Sequence, residues 1–170
     1  MCRRLCVDRF GDMAVREATA ADVERMVELA DDMRRDYEPH APVFQRPATN
    51  AKDAHRPWLS RLVEDPDVGT FVHEDSDGEV DGFAIITIVS APPVYDPGGR
   101  SALIDDFAVS APDKWKTAGA ALLDQATAWA RESGAVQVVV VSGPQDGPKQ
   151  AVLEGAGLHV ASQWFTAPLD

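Results

Sequence analysis

The segment of residues 101–134 most constrains the fold of this chain, because it has the pattern of a strand, a short turn and a helix in succession. Its first residues alternate apolar and polar side chains, as a half-buried strand does, which places Asp105 on the face of Phe107 and Asp106 on the opposite face. Residues 122–134 repeat apolar side chains at three- and four-residue steps and end at a glycine. Free backbone N–H groups and the positive end of a helix dipole face such a turn, so the segment predicts an anion site.

This segment resembles the cofactor-binding core of the GNAT acetyltransferases, a family that transfers an acyl group from acyl-CoA to an amine. The resemblance rests on Ile104-Asp-Asp-Phe-Ala-Val109, on the pair Leu122-Leu123 and on Trp129-Ala-Arg-Glu-Ser-Gly-Ala135, and it extends loosely over residues 15–164. It implies an α/β fold with a GNAT-like mixed central sheet of about six strands, a splayed parallel pair among them, flanked by about four helices. It also implies acetyl-CoA as co-substrate.

The turn departs from the family pattern. In the family the turn carries Arg/Gln-x-x-Gly-x-Gly/Ala, whose amides bind the CoA pyrophosphate. Counting from both flanks matches residues 114–119 to this pattern, with Thr117 at the usual first glycine, whereas a second register over residues 116–121 matches the letters better but shifts both flanks. Threonine resists a positive φ and the close approach of a phosphate, although its backbone amide still donates. The alternative is an ordinary strand–loop–helix connection with solvated lysines.

The resemblance assigns the cofactor site to residues on the core strand, where the pantetheine amide binds backbone, and in the turn. These residues are Phe107, Ala108, Val109, Lys114, Trp115, Lys116, Thr117, Ala118, Gly119 and Ala120.

Acyl transfer needs a base for the amine and a means of stabilising the leaving thiolate. Asp105 stands where some family members carry a glutamate base, and it is the predicted base, with a bridging water because aspartate is shorter. The usual general acid is a tyrosine, but its position is Leu153 here, so either no dedicated acid exists or Tyr95 or Ser142 serves. The competing interpretation, which Thr117 and Leu153 favour, is an inactive GNAT-like domain acting as a CoA sensor or protein-interaction module.

Two irregular segments are expected to border the acceptor. Residues 37–51 and residues 91–100 each contain three prolines. The predicted substrate-binding residues in them are Tyr37, Phe44 and Tyr95. The predicted acceptor is a small amine or a peptide amine.

After the core helix, residues 136–142 form an apolar run that predicts a parallel strand buried on both faces. A helix is predicted from near Asp146 to about Gly157, and a last strand over residues 159–166. The family commonly has two strands at this end, so one strand leaves an exposed edge. Exposed edges favour pairing, and the sequence therefore predicts a homodimer that shares this region.

The 170 residues suit one acyltransferase domain, placed at residues 13–170, after an N-terminal extension over residues 1–12 that is predicted to be flexible. A net charge of −12 opposes binding to nucleic acid or anionic membranes and suits an amine substrate. No apolar run has the length of a membrane span, and the start lacks a signal-peptide pattern, which predicts a cytoplasmic protein.

No metal site is predicted from the ligand-type side chains. Cys2 and Cys6 have no Cys-x-x-Cys spacing and no matching histidine pattern, so they are expected to be reduced, incidental thiols. The scattered histidines are expected to be surface or packing residues; they are His40, His55, His73 and His159.

Overall fold

The computed structural model describes residues 14–169, which form one five-stranded mixed sheet and four α-helices. The strands are β1 (Ala14–Glu17), β2 (Val68–Glu74), β3 (Val80–Val89), β4 (Arg100–Val109) and β5 (Ala135–Val140). The helices are α1 (Val23–Tyr37), α2 (Ala51–Glu64), α3 (Ala118–Glu132) and α4 (Gly147–Gly155), with 3₁₀ turns at Glu38–His40 and Pro112–Lys116. The predicted extension over residues 1–12, with its two cysteines, lies outside the described residues.

The sheet order follows the chain, β1-β2-β3-β4-β5, with β1 to β4 antiparallel and β5 parallel to β4. This arrangement confirms the predicted α/β fold, the parallel pair and the four helices. The strand count is five rather than about six, because the predicted last strand does not form. Between residues 14 and 169 no helix has the length and apolarity that crossing a membrane requires.

Helices cover both faces of the sheet and create two cores. On one face, α1 and α2 pack against alternate residues of β2 and β3; Met26, Val27, Leu59, Val72 and Phe83 are fully buried there. On the other face, α3 and α4 pack against β3 and β4, with Ala84, Ile86, Ile104, Phe107, Leu122 and Leu123 in the core. Full burial of a large aliphatic or aromatic side chain contributes about 1.5–3 kcal/mol, so both cores stabilise the sheet.

A β-bulge interrupts the alternation of β4. Opposite β4, Ala84 pairs with Phe107 and Ile86 pairs with Ile104, so β4 has one more residue than β3 over this stretch. Ile104 and Phe107 therefore both enter the core beside α3. The prediction that Asp105 and Phe107 share one face is wrong, because the bulge holds the two aspartates and resets the alternation after them.

The C-terminal part of the sheet is more exposed than the sequence predicts. Val136 and Val139 are 51% and 40% exposed, so β5 is not buried on both faces as predicted. In the described chain only β4 pairs with β5. Residues 159–166 form no strand, and Trp164 instead meets Phe44 edge-on, with ring centroids 6.0 Å apart. A favourable strand composition does not make a strand unless a partner edge and a covered face are available.

Candidate active site

The pairing between β4 and β5 ends at the bulge. The two strands pair from Arg100 with Ala135 to Ile104 with Val140, and the last backbone hydrogen bond runs from the Val141 N–H to the Ile104 carbonyl, 3.0 Å. β4 continues to Val109, but no described residue of β5 pairs with it there. We call the region beside residues 105–109, where β4 has no β5 partner, the β4–β5 gap. Backbone along a gap of this kind can bind an extended ligand that carries its own amides.

Lys149 reaches the β4–β5 gap from α4. Its Nζ donates a hydrogen bond of 3.1 Å to the Phe107 carbonyl and lies 5.1 Å and 5.2 Å from the ring centroids of Phe107 and Trp115. The residue is only 1% exposed. Burial lowers the pKa of Lys149 to about 8 from its ordinary 10.5. The negative charges of Asp146, Asp105 and Asp106 act in the other direction and raise it, but by less.

Sequence reasoning missed Lys149 because a lone lysine in a short helix usually lies in solvent. One local signal was present. Leu153, four residues later, is buried, and side chains four residues apart share a helix face. The predicted start of this helix near Asp146 is confirmed: Asp146 is the N-cap of α4, and its carboxylate accepts from the Lys149 backbone N–H at 3.2 Å.

Asp105 and Asp106 carry negative charge at the bulge. Asp105 is exposed, yet partial burial of its carboxyl and the neighbouring charge of Asp106 raise its pKa, while Lys149 opposes the shift. Asp106 is partly buried, and one of its oxygens lies 3.8 Å from His55 Nε2 on α2. The bulge therefore carries a carboxylate with raised basicity next to a second one.

His55 is fixed by its neighbours. Its Nδ1 lies 3.3 Å from Arg34 Nη1, and because a guanidinium only donates, Nδ1 accepts and the ring proton is on Nε2, towards Asp106. The ring also stacks on Trp58 with centroids 5.4 Å apart. The packing role expected of the histidines fits His55, but the structure also brings it to the bulge, which the sequence did not indicate.

Tyr37, a predicted substrate-binding residue, ends α1 and contacts the connection between β5 and α4. Its hydroxyl donates to Asp146 at 2.7 Å and accepts from the Gly143 N–H at 3.4 Å. Burial and the Asp146 carboxylate raise the pKa of Tyr37 well above its ordinary value. Tyr37 thus connects α1 to the N-cap of α4, beside Lys149. Phe44, by contrast, is exposed and packs on Trp164.

In the turn after β4, some of the predicted cofactor residues point into the protein core and others point to solvent. Trp115 is buried and packs edge-on to Phe107, 4.8 Å between centroids. Lys114 Nζ lies 3.0 Å from an oxygen of Asp81, whose other oxygen contacts His73 Nδ1 at 2.5 Å. Asp81 raises the pKa of Lys114. Lys116 is exposed and is the lysine of the turn that faces solvent.

The first amides of α3 have no acceptor within the helix, although Ala118 and Gly119 are buried. Thr117 is the N-cap, and Ala118, Gly119 and Ala120 are the first three helical residues, whose N–H groups have no acceptor within the helix. Thr117 has φ −115°, so the threonine at the family's glycine position needs no left-handed backbone. A Cβ on Gly119 would lie 2.4 Å from the Trp115 ring, so this glycine is required by packing.

Tyr95 lies in the β3–β4 loop and is 71% exposed. It lines a cavity of about 430 Å³ with Pro92, Leu103, Gln137 and Val139. Ala102 and Ile104, on either side of Leu103 in β4, face the core beside α3. Leu103 therefore points to the opposite face of the sheet, and the cavity opens on that face. Asp105 follows Leu103 by two residues along β4. The structure thus places Tyr95 beside a cavity near the bulge, separate from Phe44.

Comparisons with known proteins identify the family. The acetyltransferase (GNAT) family model matches residues 24–152. No curated protein matches the chain. Among solved structures, a mutant of a Bacillus halodurans protein has a TM-score of 0.79 at 16% identity, covering 92% of this chain and 99% of that one.

Two further structures share the fold. A Clostridium acetobutylicum protein, described as a predicted acetyltransferase with acetyl-CoA, has a TM-score of 0.70 at 16% identity, covering 92% of this chain and 96% of its own. The glucosamine-6-phosphate N-acetyltransferase of Arabidopsis thaliana has a TM-score of 0.65 at 13% identity, covering 94% and 99%. The family match spans most of the chain, and the chain therefore belongs to the acetyltransferase (GNAT) family.

Proposed function

We propose that this protein is an acyl-CoA-dependent N-acyltransferase, with acetyl-CoA as co-substrate and an amine as acceptor. The observation that carries the proposal is the β4–β5 gap, which ends at a carboxylate with a raised pKa and adjoins the first amides of α3. The residues present fit an acyl-CoA. Past the last β5 pairing the gap offers backbone of β4 for the amides of the pantetheine arm, with the Phe107 carbonyl already bound to Lys149, and the turn offers N–H donors for the pyrophosphate.

The pyrophosphate contacts are assigned to the amides of residues 118–120 and to the exposed Lys116. Lys114 is held by Asp81, so its charge is partly neutralised before any phosphate arrives. Trp115 and Gly119 support this site by packing, because they fix the turn against Phe107. Phe107, Ala108 and Val109 are the β4 residues that we assign to the pantetheine arm.

Asp105 is the proposed base. A carboxylate whose pKa is raised is a stronger proton acceptor than an ordinary aspartate, and its exposed position leaves room for a bridging water. Direct attack of the neutral amine on the thioester carbonyl then forms the C–N bond and breaks the C–S bond, with no acyl-enzyme intermediate.

The acceptor is assigned to the cavity beside Tyr95. Its walls are mostly apolar, while the acidic surface favours a cationic or amine-bearing ligand. Because Tyr95 is exposed in a wall of this cavity, we propose it as a contact of the acceptor rather than as the general acid. Tyr37 acts through Asp146, so it is a positioning residue in this proposal. Phe44, exposed beside Trp164, stays a proposed acceptor contact.

A second candidate function is a CoA sensor without catalysis. The buried Leu153 at the family's tyrosine position favours it, because leucine cannot donate a proton. The cytoplasmic location and the absence of nucleic-acid and membrane partners remain predictions from charge and sequence.

Calorimetric titration with acetyl-CoA, beside free CoA, tests the cofactor site. We expect micromolar binding, about −8 kcal/mol, and a loss of roughly tenfold in Lys116→Glu. Lys52→Glu, a charge reversal on α2, is the matched control and should bind as the unaltered protein does. No binding up to millimolar acetyl-CoA would contradict the proposal, whereas binding without acylation of any amine in a screen would favour the sensor.

A further inference from the structure

We propose that Lys149 is the general acid of this site and donates the proton that the leaving CoA sulfur takes up. The inference rests on the proposed function and adds a catalytic residue to it. Its geometric basis is the position of Nζ at the Phe107 carbonyl, directly past the bulge and within the β4–β5 gap.

The ammonium has donor capacity to spare. A lysine Nζ carries three N–H groups, and in the described chain the Phe107 carbonyl is its one hydrogen-bond acceptor. The rings of Phe107 and Trp115 hold the cation in place through their faces without taking a proton. An atom that enters the gap next to Phe107 can therefore accept one of the remaining N–H groups.

The charges around Nζ suit an acid. Asp146 on α4 and the bulge residues Asp105 and Asp106 on β4 favour the ammonium, whereas burial favours the neutral amine. The buried residues that α3 and its preceding turn contribute, such as Trp115 and Leu123, carry no charge, and Tyr37 of α1 acts through Asp146. With a pKa of about 8, Lys149 is mostly protonated at neutral pH and gives up its proton more readily than a surface lysine.

The proton balance of the step is complete. The amine nitrogen attacks the thioester carbonyl carbon, the C–S bond breaks, and its electron pair goes to sulfur. Lys149 gives one Nζ proton to that sulfur, which yields CoA thiol and a neutral lysine. The amine loses its extra proton to Asp105 or to water, and Lys149 regains a proton from solvent after product release.

A structural role alone does not account for this lysine. A buried charge costs folding free energy, and an apolar chain of similar length packs in its place without that cost. Lys149→Met is therefore expected to fold, and it separates a catalytic role from a packing role.

The first test needs no acceptor. The thiol of CoA bound to the protein is titrated through the ultraviolet absorption of its thiolate, with acetyl-CoA, which has no free thiol, as the blank. The ammonium beside the sulfur should lower the thiol pKa by about one unit or more relative to free CoA. In Lys149→Met this shift should disappear, whereas in the matched control Lys52→Met it should persist.

Lys149→Arg separates charge from proton donation. Its guanidinium should keep the lowered thiol pKa but, because it does not give up its proton, should lose turnover as Lys149→Met does. The unaltered enzyme should show a descending limb in kcat/KM near pH 8 that both variants lack.

The outcomes distinguish the two proposals. If the unaltered protein does not bind CoA, the proposed function fails and this inference with it. If CoA binds but its thiol titrates alike in the unaltered protein and Lys149→Met, only the inference is overturned. Acyl-CoA that leaves an acyl group on Lys149, found by mass spectrometry, would also overturn it, because the lysine would then be a nucleophile.

Discussion

Gly119 and Trp115 meet so closely that a Cβ on the glycine would lie 2.4 Å from the indole ring. Trp115 in turn packs edge-on to Phe107, whose carbonyl receives the Lys149 ammonium. The glycine at the start of α3 thus sets the position of an aromatic pair that lines the candidate active site.

Gly119→Ala should lower the free energy of unfolding by about 1–3 kcal/mol, because the indole has to move in a packed core. Chemical denaturation measures the effect. Gly155→Ala is the matched control, since no atom lies within 4 Å of its added Cβ and alanine favours the helix. An unchanged stability of Gly119→Ala would show that Trp115 is free to shift.

Asp105→Asn should lower turnover about 100-fold or more while acetyl-CoA affinity stays the same, because the amide cannot accept a proton. Steady-state kinetics and calorimetry measure the two quantities. Asp124→Asn on α3, an exposed position, is the control. Equal turnover of Asp105→Asn and the unaltered enzyme at neutral pH would remove Asp105 as the base.

The same substitution has a predicted effect on stability. The folded pKa of Asp105 is raised above 3.8, so the folded state holds the proton to higher pH than the unfolded state. Stability therefore falls as pH rises from 3.8 through the folded pKa, and the ionised carboxylate costs free energy above it. Asp105→Asn should lack this fall, and denaturation curves across acidic pH should show it. A steeper fall in the variant would contradict the sign of the shift.

Lys149 gives the opposite pH dependence. Between its folded pKa of about 8 and its ordinary 10.5 the unfolded state binds more protons, so stability rises with pH across that window. The full rise is about 3 kcal/mol at 1.36 kcal/mol per pKa unit. Lys149→Met should lack this rise and be the more stable protein at pH 7. Parallel stability–pH curves for the two proteins would contradict a lowered pKa.

We propose that two copies of the chain form a homodimer through β5, because one edge of this strand has no partner in the described chain. Val136 and Val139 are exposed there, and Trp164 and Phe165 are 79% and 90% exposed in the following segment. Light scattering after size exclusion should give twice the mass of one chain at high concentration, and Val136→Lys should shift the protein to monomer. Val94→Lys, a substitution in the β3–β4 loop, is the control. A clean monomer of the unaltered chain at high concentration would contradict the proposal.

Local patterns in the sequence determined most of the fold. The alternation before residue 110, the helical spacing after residue 121 and the turn between them depend on neighbours a few residues apart, and β4 and α3 form as predicted. The role of Asp105, by contrast, was inferred from the family resemblance, and it stays a prediction. The predicted strand over residues 159–166 failed because a strand also depends on an available partner edge, which its own composition does not specify.

Only the tertiary structure decided which side chains contact one another at the candidate site. The β4 bulge becomes visible only in the register against β3, and Lys149 meets the Phe107 carbonyl across 42 positions of sequence. Lys114 was predicted to bind the pyrophosphate, but in the folded chain its Nζ lies 3.0 Å from a carboxylate oxygen of Asp81 on β3. Burial is the largest cause of the pKa shifts of Asp105 and Lys149, and burial depends on which distant residues exclude water around the two groups.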